Sequence, residues 1–72
     1  MPAYSDVELQ YYANLEVQPG AGFEVIQASY RRLLKQCHPD KFLNDPQRYP
    51  IALELSQKLN EAYAYFEEKI SG

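Results

Sequence analysis

A helix and the signal that ends it are both contained in residues 30–40, Tyr30-Arg31-Arg32-Leu33-Leu34-Lys35-Gln36-Cys37-His38-Pro39-Asp40. Pro39 has a fixed φ and no N–H, and its ring disfavours the α conformation for His38. The helix is therefore predicted to end at about Cys37, which leaves His38, Pro39 and Asp40 on a loop at its tip. Because loops held by a rigid scaffold often carry function, this tripeptide is the first candidate site.

The helix before this loop is predicted to begin at Phe23 and to be amphipathic. Its apolar residues recur at intervals of three and four, at Phe23, Ile26, Tyr30, Leu33, Leu34 and Cys37. The opposite face carries Arg31, Arg32 and Lys35, diluted by Glu24 and Ala28. Four cationic and two acidic side chains give residues 23–42 a net charge of +2, which leaves −5 on the rest of a chain whose total is −3. The positive charge therefore lies beside the tripeptide.

Two further helices flank this one in the sequence. Ser5 and Glu8 have the spacing of a capping box, which predicts a short first helix over residues 6–14. The apolar residues at roughly helical spacing there are Val7, Tyr11, Tyr12 and Leu15. Pro50 suits the first position of a third helix, where its missing N–H costs nothing. A long helix to about Lys69 is predicted from there by Ala52, Leu55, Leu59, Ala62, Phe66 and Ile70.

These elements predict an all-α fold with helices at about 6–14, 23–37 and 50–69. Pro19-Gly20-Ala21-Gly22 is a turn between the first helix and the second. A loop of about a dozen residues joins the two long helices, and helices joined in this way form an antiparallel hairpin. The short first helix is expected to cover one side of that hairpin.

Length and composition limit what the chain can be. Its 72 residues predict one domain over residues 1–72, too small for a deep enzymatic cleft. The single cysteine cannot form an internal disulfide, which is typical of a reducing compartment. No apolar run approaches the ~20 residues that cross a membrane. We therefore expect a monomeric cytoplasmic protein that has no contact with a membrane.

Several functional classes are disfavoured. A net charge of −3 discourages binding to nucleic acid, and the predicted third helix carries only Lys58 and Lys69 among four glutamates. Cys37 and His38 lack the second pair of ligands that a zinc site needs, so no metal is predicted. The sequence has no glycine-rich phosphate loop and no converging carboxylates. An enzyme and a bound cofactor are therefore not expected.

The sequence resembles the J domain of DnaJ-type co-chaperones over nearly all of its length. The resemblance is carried by Tyr11-Tyr12 with Leu15 and Val17, Pro19-Gly20-Ala21, Ile26 with Tyr30-Arg31-Arg32-Leu33, His38-Pro39-Asp40-Lys41, and Leu59-Asn60-Glu61-Ala62-Tyr63. A bare His-Pro-Asp would be weak evidence, whereas the tripeptide together with the other segments is specific. The resemblance implies the J-domain architecture, with the usual fourth short helix absent or minimal.

The resemblance implies a co-chaperone that stimulates ATP hydrolysis by a DnaK-type chaperone ATPase, with the chemistry in that partner. The residues implied in partner binding are Tyr30, Arg31, Arg32, Lys35, His38, Pro39, Asp40 and Lys41. Asp40 would accept a charge-assisted hydrogen bond from an arginine of the partner. The cations would steer the approach to an acidic patch, and His38 and Pro39 would set the shape of the loop.

Some positions depart from the family pattern. Gln27, Ala28 and Gln36 occupy positions that are often basic, so docking is expected to be weaker or tuned to one partner. Ser56 stands where many J domains have a core phenylalanine, and Leu55 is the candidate to compensate. No role is predicted for Tyr4, Tyr49 and Tyr65, and Glu8 and Glu61 are expected to serve capping and solubility.

Two alternative functions stay open at this point. Lys41-Phe42, the longer loop, and Ser56 with Leu59-Asn60 are similar to the J domain of HscB-type iron–sulfur co-chaperones and to bacterial J-domain-only proteins. A J module for iron–sulfur cluster assembly is therefore one alternative. The other is a J-like interaction module without ATPase-stimulating activity. The sequence is compatible with a minimal stand-alone J protein and with a J module of a longer one.

Overall fold

A computed structural model describes residues 4–71 of the chain. Three α-helices follow one another: α1 over Asp6–Asn14, α2 over Phe23–Cys37 and α3 over Tyr49–Ser71. A single 3₁₀ turn over Pro39–Phe42 lies between α2 and α3. No strand occurs in residues 4–71. The predicted all-α fold and the predicted bounds of the first two helices are confirmed.

Helix α1 begins and ends with hydrogen bonds that its own sequence supplies. The Ser5 hydroxyl accepts from the Glu8 N–H, and the Glu8 carboxylate accepts from the Ser5 N–H, both at 3.2 Å, which confirms the capping box. At the other end Glu16 has a φ of 56°, and the N–H groups of Glu16 and Val17 donate to the carbonyls of Ala13 and Tyr12. This is a Schellman ending, here built on a glutamate instead of the usual glycine.

The connection to α2 turns at Gly20. The Ala21 N–H donates to the Gln18 carbonyl at 3.0 Å, and Gly20 has a φ of +89°. That φ is left-handed and favours glycine. Gly22 precedes α2 without a side-chain cap, as predicted.

Helix α3 begins at Tyr49, one residue before the position expected from Pro50, and it ends at Ser71. The cause of the earlier start is Asp45, whose carboxylate accepts from the N–H groups of Gln47 and Arg48 at 3.2 and 3.1 Å. Its carbonyl also accepts from the Tyr49 N–H at 2.9 Å. Pro50 is still in the first turn, where its missing N–H leaves no bond broken.

The core lies where α1 and α2 pack on α3. Its buried apolar residues are Tyr12, Leu15, Ile26, Leu33, Leu59, Ala62 and Phe66. Helices α2 and α3 are antiparallel, as the predicted hairpin requires, because Tyr30 meets Asn60 while Phe23 stacks on Tyr63. None of the helices in residues 4–71 is long and apolar enough to cross a membrane.

Three residues of the predicted apolar stripes are exposed instead of buried: Val7, Leu55 and Ile70. Val7 and Ile70 lie at the extreme turns of α1 and α3, where no third element covers them. Leu55 is 46% exposed and does not compensate for Ser56. Ser56 is itself buried, and its hydroxyl donates to the Leu53 carbonyl at 2.9 Å, so the missing phenylalanine is replaced by a locally satisfied polar group.

Two of the tyrosines without a predicted role belong to the packing of α1. Tyr4 meets Tyr12 edge to face at a centroid distance of 5.4 Å. Tyr65 packs against Tyr11 at 4.9 Å. The Tyr11 hydroxyl donates to Glu61 at 3.0 Å, so Glu61 joins α3 to α1 and is more than a solubility residue.

Candidate functional site

His38 ends α2 and begins the loop that follows it. Its backbone is extended, with φ −62° and ψ 129°, so α2 ends at Cys37 as the following proline predicts. The His38 Nδ1 accepts from the Asp40 N–H at 3.2 Å. A neutral imidazole that accepts at Nδ1 carries its proton on Nε2. The imidazole therefore joins His38 to the Asp40 backbone, and 47% of its side chain is exposed.

Asp40 is the most accessible acidic group of this loop. It lies in the 3₁₀ turn that starts at Pro39, and 79% of its side chain is exposed. One carboxylate oxygen is 3.6 Å from the His38 Nδ1. The turn is closed by the Lys41 N–H, which donates to the His38 carbonyl at 3.0 Å. An exposed carboxylate on a backbone fixed at both ends can accept a hydrogen bond with little ordering cost.

The basic face of α2 divides into two parts. Arg31 and Lys35 are four residues apart, so they share one exposed side of the helix. Arg32 is also exposed, but its guanidinium donates to the Ser29 hydroxyl at 3.2 Å. The buried Ser29 hydroxyl in turn donates to the Leu15 carbonyl. Arg32 thus lies on the side of α2 that is near the end of α1. Arg31 and Lys35 lie on the other, exposed side of α2, which we call its open side.

Tyr30 lies at the junction of α2 and α3. Its ring is half-buried and stacks on Tyr63 at a centroid distance of 4.1 Å and an interplanar angle of 9°. Its hydroxyl donates to the Asn60 Oδ1 at 2.6 Å. Burial raises the pKa of Tyr30, and the nearby Tyr63 and Glu67 add to the effect. The ring is therefore fixed by α3, directly beside Arg31 in the sequence.

Taken in order, the structure places His38, Pro39, Asp40 and Lys41 in one short loop and Arg31 with Lys35 on the helix that leads to it. An α-helix rises 1.5 Å per residue, so Arg31 is roughly 10 Å from His38 along the axis.

The sequence model of the family described as "DnaJ domain" matches residues 10–70 of this chain.

The chain belongs to the DnaJ domain family.

Curated relatives are similar to this chain over most of its length. The chaperone protein DnaJ of Nitratiruptor sp. is 36% identical over 63 residues, which are 88% of this chain and 16% of that protein. The DnaJ of Helicobacter pylori strain J99 is 40% identical over 57 residues, 79% of this chain and 14% of the relative. The co-chaperone protein DjlA of Vibrio parahaemolyticus is 34% identical over 55 residues, 72% of this chain and 19% of its own length.

The chain therefore spans less than a fifth of the length of these curated relatives. No solved structure gave a significant match.

The side-chain hydrogen bonds that surround Tyr30 in this DnaJ domain were not predicted from the sequence. Asn60 accepts from Tyr30, and the Gln27 amide donates to the Tyr63 hydroxyl at 3.2 Å. Gln27 is one of the positions that depart from the basic pattern, and its contact gives a physical use for an amide there. The helical spacing of Phe23, Ile26 and Tyr30 was visible in the sequence, but the residues of α3 that they meet were not.

The DnaJ domain also has an open apolar groove beside Cys37. Its volume is about 240 Å³, and it is lined by Asn14, Glu16, Leu33, Gln36, Cys37, Leu55, Lys58 and Leu59. Cys37 is half-buried and packs against the core, as expected of a small hydrophobic residue. Burial raises the pKa of its thiol, which makes it a weak nucleophile.

Proposed function

We propose that this DnaJ domain docks on a DnaK-type chaperone ATPase and accelerates its ATP hydrolysis, acting as a co-chaperone. The proposal rests on one observation: the exposed Asp40 carboxylate stands on a rigid turn at the tip of a helix whose open side carries Arg31 and Lys35. The chaperones named DnaJ among its relatives support the same reading.

The docking step has two parts. Arg31, Lys35 and Lys41 attract an acidic surface of the ATPase, which raises the association rate and makes it depend on salt. Asp40 then accepts a charge-assisted hydrogen bond from an arginine of the ATPase, while His38 and Pro39 hold the turn. Tyr30 and Arg32 lie on α2 on either side of Arg31 and border the docking surface of this domain. Preferential binding to the hydrolysis-competent state of the ATPase shifts its population towards that state.

The direct test is single-turnover ATP hydrolysis by a DnaK-type chaperone with and without this chain. We expect acceleration by the native chain and none by His38→Gln, because a glutamine lacks the imidazole Nδ1 that accepts from the Asp40 N–H. Asp40→Asn should lose most of the acceleration, since an amide is a poorer partner for a guanidinium.

The matched control is Asp6→Asn, which makes the same chemical change at an exposed residue of α1. Native-like acceleration by this variant is expected. Equal acceleration by the native chain and by both loop variants would overturn the proposed docking through this loop.

A further inference from the structure

We propose that Asn60 of α3 is a positioning residue for docking. It acts by fixing Tyr30 beside Arg31, at the edge of the basic face of α2. This inference rests on the proposed function and extends it to a helix that carries none of the predicted partner-binding residues. The observation behind it is the 2.6 Å hydrogen bond from the Tyr30 hydroxyl to the Asn60 Oδ1.

The bond between Tyr30 and Asn60 joins α2 to α3 beside the basic face of α2. Tyr30 is half-buried and lies next to Arg31, and its ring is stacked almost parallel on Tyr63. Stacking fixes the plane of the ring but tolerates sliding, whereas the bond to Asn60 fixes where the hydroxyl points. The plane of the Tyr30 ring and the direction of its hydroxyl are therefore both fixed before a partner binds.

Without the Asn60 oxygen, the Tyr30 hydroxyl would turn to water and the ring would gain freedom. A partner that contacts this edge would have to order the ring again on docking. Ordering one side chain at an interface weakens association by roughly two- to ten-fold. The loss should appear in affinity and not in the maximal rate, because the loop that holds His38 and Asp40 is untouched.

The chain offers a close control in the neighbouring bond. The Gln27 amide donates to the Tyr63 hydroxyl at 3.2 Å, so Tyr63→Phe also breaks one side-chain bond between α2 and α3. It keeps both rings of the stack, and it leaves the Tyr30 hydroxyl on Asn60. If the junction acts only through overall stability, Tyr63→Phe and Asn60→Leu should behave alike.

The experiment measures DnaK-type ATPase stimulation as a function of the concentration of each chain, together with its unfolding midpoint. We expect Asn60→Leu and Tyr30→Phe each to raise the half-saturating concentration by about two- to ten-fold with the same plateau rate. Tyr63→Phe should keep the native half-saturating concentration. The double variant Tyr30→Phe/Asn60→Leu should have a half-saturating concentration no higher than that of the more affected single variant, since Tyr30 and Asn60 share one bond.

Three results would overturn the positioning role: a native half-saturating concentration for Asn60→Leu, an equal loss in Tyr63→Phe, or fully additive losses in the double variant. His38→Gln separates this outcome from the proposed function. If His38→Gln abolishes stimulation while Asn60→Leu behaves as native, only the role of Asn60 is wrong. If the native chain stimulates no such ATPase, both proposals are wrong.

Discussion

At the scale of single residues, neighbours in the sequence have different surroundings. Arg31 and Arg32 look equivalent in a linear reading of the basic run. In the structure Arg31 shares an open side with Lys35, while the Arg32 guanidinium is bound to the Ser29 hydroxyl. One donor of the Arg32 guanidinium is already engaged and its position is fixed by that bond, so the two arginines should contribute unequally to docking.

Arg31→Ala should raise the half-saturating concentration for ATPase stimulation and flatten its dependence on salt, because one steering charge is lost. Arg32→Ala should have the smaller effect on docking and should lower stability by about 0.5–1.5 kcal/mol through the lost bond to Ser29. Stimulation at two salt concentrations and a denaturant titration measure these effects. Identical behaviour of the two variants in both assays would contradict the division of the basic face.

At the scale of the elements, the hairpin depends on a few buried positions of α3. Leu59 is 6% exposed and lies in the core cluster, whereas Leu55, one turn earlier, is 46% exposed on the rim of the groove. Both residues belong to the stripe that periodicity predicts. Ala52 and Ser56, on the same half of α3, are also buried, so Leu55 lies at the edge of the buried face of this helix.

Leu59→Ala should destabilise the domain by roughly 2–4 kcal/mol, because it removes buried methyl groups and leaves a cavity between the helices. Leu55→Ala makes the same change on the same helix and should cost less than about 1 kcal/mol, since the side chain is largely in water already. Urea denaturation midpoints distinguish the two. Equal losses for both variants would mean that Leu55 is as well packed as Leu59.

At the scale of the whole molecule, an ion pair joins the beginning of α1 to the end of α3. The Glu8 carboxylate accepts from the Lys69 ammonium and from the Ser5 N–H. These bonds, with a smaller contribution from the Tyr65 hydroxyl, lower its pKa to about 2 from a usual value of 4.5. Only 12% of the Glu8 side chain is exposed. The residue expected to serve as a cap therefore also connects two elements 61 positions apart.

This pair predicts a pH dependence. Because the pKa of Glu8 is lower in the folded state, its contribution to stability is present above pH 4.5 and is lost as the pH falls towards 2. Glu8→Gln should be less stable than the native chain at pH 7, and the difference should shrink as the pH falls through this window.

Glu54→Gln is the matched control, because Glu54 forms an exposed pair with Lys58 within one helix. Glu54→Gln should differ little in stability from the native chain at any of the pH values compared, since surface pairs contribute little. Thermal unfolding at pH 7, 4.5 and 2.5 compares the three chains. A constant difference between Glu8→Gln and the native chain at all three values would contradict the lowered pKa.

Much of this fold is local, and local signals predicted it. The capping box at Ser5 and Glu8, the break imposed by Pro39 on His38, and the turn at Gly20 each depend on residues a few positions apart. Such interactions are set by backbone sterics and short hydrogen bonds, so a sequence contains all the information they need. The start of α3 was displaced by one residue because the Asp45 cap lies outside the periodic stripe.

The sequence by itself determined where the helices lie, that they form a hairpin, and that the His38-Pro39-Asp40 loop follows a basic helix. Tertiary structure alone decided which apolar residues are buried, that Arg31 and Arg32 separate, that Glu8 meets Lys69, and that Tyr30 is held by Asn60. The reason is physical: helical periodicity fixes directions around one axis, but contacts between helices depend on their relative rotation and crossing, which packing sets.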